Sequence, residues 1–188
     1  MELMVTVAVA AAIFGIGVPA FRDFGKNGRL TGAANETLLT FMTARNEAVR
    51  RQLRTSVCPA ETPDADLAVC EEGATGGFIA FIDANSNCLR DDDEEVVSSM
   101  IAHSEIHTGS NITCIGYAPS GFRVPVEDQP VNARAVFCDS RGTAKVADGS
   151  NLSYARGVEI LATGRAAVSR LAADLEVWAG GDNPVTCP

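Results

Sequence analysis

Apolar and polar positions alternate in three different ways along the chain. Residues 3–20 read LMVTVAVAAAIFGIGVPA, with no charge, Thr6 as the lone hydroxyl and Pro19 near the end. At 1.5 Å per residue this is about 27 Å of helix, close to the thickness of a bilayer core. A membrane-spanning helix is expected over residues 1–21. A cleaved signal peptide is the rival reading, but the basic leader region is missing and Glu2 has the wrong sign for it. From residue 22 to 54 the apolar positions Leu30, Ala34, Leu38, Phe41, Met42, Ala48, Val49 and Leu53 fall three or four apart, or multiples of that, which predicts one face of a stalk helix. Gly25, Gly28 and Gly32 interrupt it at about 1 kcal/mol each relative to Ala, so this stretch is expected to melt or bend most easily.

Beyond residue 55 the period shortens to strand-like runs, expected at 55–58, 77–83, 95–101, 111–117, 121–124, 133–139, 157–161 and 166–170. Turn signals separate them at Pro119-Ser120-Gly121, Arg141-Gly142, Asp148-Gly149 and Thr163-Gly164-Arg165. A long helix laid on antiparallel sheets is an α+β arrangement. The expected division is residues 1–21 as a transmembrane or filament-core helix, 22–54 as an amphipathic stalk and 55–188 as a β-rich head.

Charge sharpens this division. The 188-residue chain has a formal net charge of −9, which argues against a broad basic face for duplex DNA. Residues 20–54 nevertheless balance at +4, and residues 61–95 at −10, with eleven acids against Arg90. The basic stalk is read either as a solvated surface or as a contact for the acidic head of a neighbouring subunit. Six cysteines, an even number with no CxxC and only two histidines, fit three disulfides better than zinc and place the head in an oxidising compartment. Arg22, Lys26 and Arg29 after the apolar segment would by themselves favour a cytoplasmic head, so the cysteines and the positive-inside rule disagree.

A carboxylate at the head of an apolar helix is costly unless it is paired or reaches water. Glu2-Leu3-Met4-Val5-Thr6-Val7-Ala8-Val9, Pro19 seventeen positions after the glutamate, and Phe21-Arg22-Asp23-Phe24 resemble the N-terminal helix of type IV pilins and type II secretion pseudopilins. Further on, Ala44-Arg45-Asn46-Glu47-Ala48-Val49-Arg50-Arg51, Val57-Cys58-Pro59, Gly76-Gly77-Phe78-Ile79-Ala80-Phe81-Ile82-Asp83-Ala84-Asn85, Phe137-Cys138-Asp139-Ser140-Arg141-Gly142 and Thr163-Gly164-Arg165 come in the order of the GspH/FimT group of minor pilins and pseudopilins. The resemblance implies a pilin-like fold and a structural subunit held in the bacterial inner membrane with a periplasmic head. It also implies assembly with other pilin or pseudopilin subunits on an inner-membrane platform, in a surface pilus or a periplasmic pseudopilus. Glu2 and Pro19 are its assembly residues, Glu2 neutralising a neighbour's N-terminal amine. Such proteins are made with a basic leader ending in glycine and are methylated after its removal; here Met1 stands where the family has an apolar residue before the glutamate.

Six cysteines allow fifteen pairings. The family layout and short loops favour Cys58 with Cys70, Cys88 with Cys114 and Cys138 with Cys187, the last stapling the 180–184 region back onto a central strand. The acidic run admits two readings. Asp83, Asn85, Asn87, Leu89 (through its carbonyl), Asp91 and Glu94 occupy positions 1, 3, 5, 7, 9 and 12 of a calcium loop of the EF-hand type, but Cys88 stands where a glycine makes the sharp turn. The other reading is a solvated turn between strands, with no cofactor.

Three function classes follow. The first is a minor pilin or pseudopilin that joins, primes or caps a filament. The second is a DNA-binding minor pilin for natural transformation: some relatives carry a GRxR segment, where this chain has Gly164-Arg165-Ala166-Ala167, leaving Arg165 with Arg170 and Arg156 nearby in sequence. An enzyme is the third, and the sequence offers no nucleophile and base pairing, phosphate loop or zinc set for one; neither His103 nor His107 lies in a nucleophile motif.

Overall fold

A computed structural model describes residues 2–125, 132–180 and 187, with the side chains of residues 2, 8, 16, 19, 20, 179 and 180 outside the description. Helix α1 runs unbroken over Glu2–Arg51, about 75 Å at the usual rise. The expected weak stretch around Gly25, Gly28 and Gly32 is helical throughout, because the turns on either side supply enough good helix formers to carry three glycines. Gln52, at φ +56, ends the helix and its side-chain amide caps the Val49 carbonyl. Among the described residues no helix is long and apolar enough to cross a membrane. The stretch that raised the expectation includes Ala8, Ile16, Pro19 and Ala20, whose side chains are not described.

The strands are β1 (Thr55–Pro59), β2 (Gly77–Ile82), β3 (Val96–Ile101), β4 (His107–Ser110), β5 (Ile115–Tyr117), β6 (Arg123–Val124), β7 (Ala133–Cys138), β8 (Leu152–Ile160) and β9 (Ala166–Leu171), followed by helix α2 (Ala172–Gly180). They form two sheets, in the orders β3-β2-β1-β5-β6 and β4-β7-β8-β9, with every pair antiparallel. Three features were not expected from the sequence: β4, the early start of β8 at Leu152, and α2. The expected strand at 111–117 shortens to three residues.

Helix α1 crosses both sheets. Leu30, Ala33, Ala34, Phe41, Ala44 and Ala48 are buried against Val57, Phe78, Ala80, Met100, Ile115 and Tyr117 of the first sheet and Ala133, Ala135, Phe137, Val158 and Ile160 of the second. The alanines let the sheets approach the helix axis closely. Met42, Val49 and Leu53, expected on this face, are exposed instead. Met42 shares a second apolar stripe with the exposed Leu39, whereas Val49 lies beside Gly121 of the head and Leu53 follows the end of the helix.

Because strand side chains alternate, each sheet also has an outer face. In the first sheet Cys58, Ile79 and Phe81 point outward and are covered by Ala60, Ala68 and Cys70 of the β1–β2 connection. In the second, Val136, Cys138 and Ala155 are covered by Leu175 and Trp178 of α2. Gly157 of β8 leaves room for the Trp178 ring, which a Cβ would overlap. Disulfides join Cys58 to Cys70, Cys88 to Cys114 and Cys138 to Cys187.

Candidate functional site

Three regions carry the residues singled out in the sequence. The first is the connection after β2, where Asp83 is fully buried. Its Oδ2 accepts from Ser56 Oγ at 2.5 Å and from the Cys88 backbone N–H at 3.3 Å, and lies 3.1 Å from Arg54 Nε. Glu94, also buried, accepts from the N–H of Ala84 at 2.8 Å through one oxygen and from that of Asp91 at 3.2 Å through the other. Asn85 accepts from the N–H of Asn87, and Asn87 from that of Leu89. Both of these side-chain amides also donate to Asp91 Oδ2. Cys88, at φ +63, takes the left-handed conformation that glycine usually provides at that point of a calcium loop. All six expected calcium positions thus share one loop, but the carboxylates of Asp91 and Glu94 are turned onto the loop's own N–H groups. Among the described residues no group of three or more His, Cys, Asp or Glu side chains is placed to hold a metal ion.

The second region is the arginine set. Arg165 is exposed in the β8–β9 turn. Arg170 sits near the other end of β9, roughly 17 Å away at strand spacing, and its Nε donates to the Ser153 carbonyl. Arg156 is buried under α1, donating to Thr31 Oγ1 and to the carbonyls of Tyr154 and Ala155. Burial, followed by the neighbouring positive charges of Arg170 and Arg141, pulls its pKa down to about 10. The structure therefore does not gather these three arginines into one basic surface.

The third region is α1 itself. Its Arg29, Arg50 and Arg51 engage acids of the same chain, whereas its Arg45 donates to the Gly121 carbonyl. At its C-terminal end Glu47 accepts from Arg50 and Arg51, and Arg51 also forms two hydrogen bonds to Glu95. Hydrogen bonds from Arg50 and Arg51 hold the Glu47 carboxyl down at about 2. Arg54 reaches Asp83, and Arg29 pairs with Glu105. Near the base of the head, Arg141 forks onto Asp139, donates to Asn27 Oδ1 of α1 at 3.0 Å and stacks 4.3 Å over the Tyr154 ring. A cleft of about 310 Å³ lies beside it, lined by Lys26, Arg29 and Leu30 of the helix and by residues including Glu105, His107 and Asp139 of the head. In the sequence Asp139 and Arg141 are visible only as part of a motif; that they clamp helix to head depends on Asn27, more than a hundred residues away.

Toward its N-terminal end α1 leaves the head. The described side chains of residues 3–25 are exposed, with Phe14 at 68% and Phe21 at 76%. The side chains of the two expected assembly residues, Glu2 and Pro19, lie outside the described residues.

This architecture has solved relatives. The type IV minor pilin FimU of Pseudomonas aeruginosa, in its P21 crystal form, superposes with a TM-score of 0.52 at 17% identity, covering 78% of this chain and 92% of that one. The P65 form gives a TM-score of 0.50 at 17% identity, covering 74% and 92%. At that identity the likeness establishes the fold: a long N-terminal helix packed on antiparallel sheets. A comparison with curated protein sequences returns no match. The family model described as type II transport protein GspH matches residues 33–164, from the first helix turns packed under the head through the Gly164 turn. The match spans more than two thirds of the sequence, so the chain belongs to the GspH family and is a structural subunit of the pilin and pseudopilin kind rather than an enzyme.

Proposed function

We propose that the chain is a minor subunit that primes or caps a type IV pilus or a type II secretion pseudopilus, assembling through the apolar N-terminal half of α1. The observation that carries this reading is the difference in reach between helix and head. Burial against the head begins at Leu30, whereas Leu3, Ile13, Phe14 and Phe21 project from turns that the head does not cover. An apolar half-helix without intramolecular cover calls for lipid before assembly and for neighbouring subunits afterwards. The three disulfides support a periplasmic head on an inner-membrane anchor, where an assembly platform can take the subunit up. Glu2 would then face the N-terminal amine of a neighbour inside an apolar filament core, where an unpaired carboxylate is costly.

The test is a strain lacking the gene, complemented with the wild-type chain or with Glu2→Ala. Wild type is expected in sheared filaments at a small fraction of the main subunit, with filament number falling sharply in its absence. Glu2→Ala should remain in the inner membrane. Absence of the wild-type chain from filaments would overturn the reading, and abundance equal to the main subunit would overturn the minor role.

A further inference from the structure

The cleft under the head brings together two features that assembly through the apolar half-helix leaves over. Cations that follow an apolar anchor ordinarily mark its cytoplasmic side. Three disulfides favour the opposite side for this head, so that rule gives no account of Arg22, Lys26 and Arg29. Two of the three line the cleft of about 310 Å³ where α1 enters the head, together with Glu105, His107, Asp139 and Ser140.

The charges in the cleft are unequally engaged. Asp139 is taken by Arg141, whose Nε and Nη2 both donate to it. Arg29 meets Glu105, but with side chains 47% and 62% exposed the pair is worth under about 1 kcal/mol and opens readily. Lys26 is half-buried and, among the described residues, forms no ion pair or hydrogen bond. Ser140, exposed beside it in the lining, adds a hydroxyl donor. Three cations, Lys26, Arg29 and Arg141, thus stand against two acids, Glu105 and Asp139. On a chain of net charge −9 this is a local excess of positive charge.

Resting on the membrane-anchored reading above, we propose that this cleft seats the headgroup of an anionic phospholipid from the periplasmic leaflet, its phosphate held by Lys26, Arg29 and Ser140. Height along the helix agrees with this. The apolar run closes at residue 20, and Lys26 stands six residues further on, about 9 Å along the axis. The headgroup region extends roughly 5–8 Å beyond the hydrocarbon core, within reach of a lysine side chain that extends toward it. A cleft at the small end of the range for ligand sites suits a headgroup and leaves the acyl chains beside the exposed Phe21 and Phe24. Two cations and a hydroxyl meeting one phosphate make short, charge-assisted bonds. The positive excess matches a single phosphodiester and disfavours a zwitterionic lipid, whose own ammonium would lie close to Lys26 and Arg29. Glu105 competes with the phosphate for Arg29, which makes it a brake on the site.

The full chain in uncharged maltoside micelles can be followed by amide NMR while the micelles are doped with phosphatidylglycerol or phosphatidylcholine, or while glycerol phosphate is added to the buffer. Phosphatidylglycerol should shift the His107 and Ser140 amides, saturating at a mole fraction at least about ten-fold below that of phosphatidylcholine. Lys26→Gln should weaken the response at least about five-fold, and Glu105→Gln, by freeing Arg29, should strengthen it. Lys145→Gln removes the same charge from the β7–β8 connection, outside the cleft, and should change little. Unshifted amides in the rest of the head serve as the folding control for each variant. Equal response to the two lipids, or equal losses in Lys26→Gln and Lys145→Gln, would reduce the effect to general charge attraction and overturn the proposal. Saturation by glycerol phosphate at a matching concentration would make the ligand a soluble anion and overturn the lipid assignment. Filament entry is read separately: a chain that enters filaments but ignores phosphatidylglycerol keeps the filament reading and loses the cleft, and the converse result does the reverse.

Discussion

At the scale of single residues, the head is set by close contacts that leave no slack. Gly157 is the clearest: its missing Cβ is the space occupied by Trp178, the sole tryptophan of the chain. Gly157→Ala is expected to lower stability by about 1–3 kcal/mol, through overpacking, with an altered Trp178 fluorescence spectrum as the check. Glu94 is a second such point. Glu94→Ala leaves the N–H groups of Ala84 and Asp91 without acceptors, at about 1–3 kcal/mol for each that stays buried, measurable by urea unfolding. Because those bonds already order the loop, added calcium is expected to leave the wild-type melting temperature unchanged; a rise lost in Asp83→Asn would instead identify a calcium loop. The turn glycines were legible in the sequence, since Gly121, Gly142, Gly149 and Gly164 all take positive φ. The role of Gly157 was not, because α2, which fills its space, left no periodic trace.

At the scale of elements, α1 and the core strands β1, β2 and β7 were readable because their apolar spacing is strong and they lie at the centre of the packing. Strand β4 was not: His107-Thr108-Gly109-Ser110 has no alternation, and it becomes a strand by pairing with β7. Helix α2 was missed because one face of nine residues is too short for a periodic signal. The two stripes of α1 were merged into one, since positions three and four apart occur on both sides of any helix with apolar residues front and back. The C-terminal turn of α1 carries its own pH dependence. Glu47 has its folded pKa depressed to about 2, below its ordinary 4.5, so its contribution is present above the ordinary value and lost as pH falls toward 2. Helix-end fraying, followed by hydrogen exchange, is expected to increase across that window in the wild type and to lose much of its pH dependence in Glu47→Gln.

At the scale of the whole molecule, the α+β class and the separation of a bare apolar half-helix from a packed head follow from the change of period near residue 55. What the sequence could not supply was which charges meet. The +4 stalk was read either as a solvated surface or as a contact for a neighbour's acidic head, yet Arg51 with Glu95 and Arg54 with Asp83 join the basic and acidic segments within one chain. Of the arginines considered for DNA, Arg156 and Arg170 meet at the Ser153 carbonyl while Arg165 lies apart in the turn, and Arg156 also holds α1 to β8 through Thr31. The disulfides add something of another kind. Their loops, spanning 12, 26 and 49 residues, follow one another along the chain without nesting or crossing. In the export proposed above, the head would enter an oxidising compartment from its N-terminal side, and each cysteine would meet its proper partner as the next one to arrive. Vectorial export would then write the correct pairing by order of appearance, without reshuffling of wrong bonds. The subunit should accumulate with all three bridges in cells lacking a disulfide isomerase and fail only in cells lacking the thiol oxidase, a difference that alkylation of free thiols followed by mass measurement would reveal.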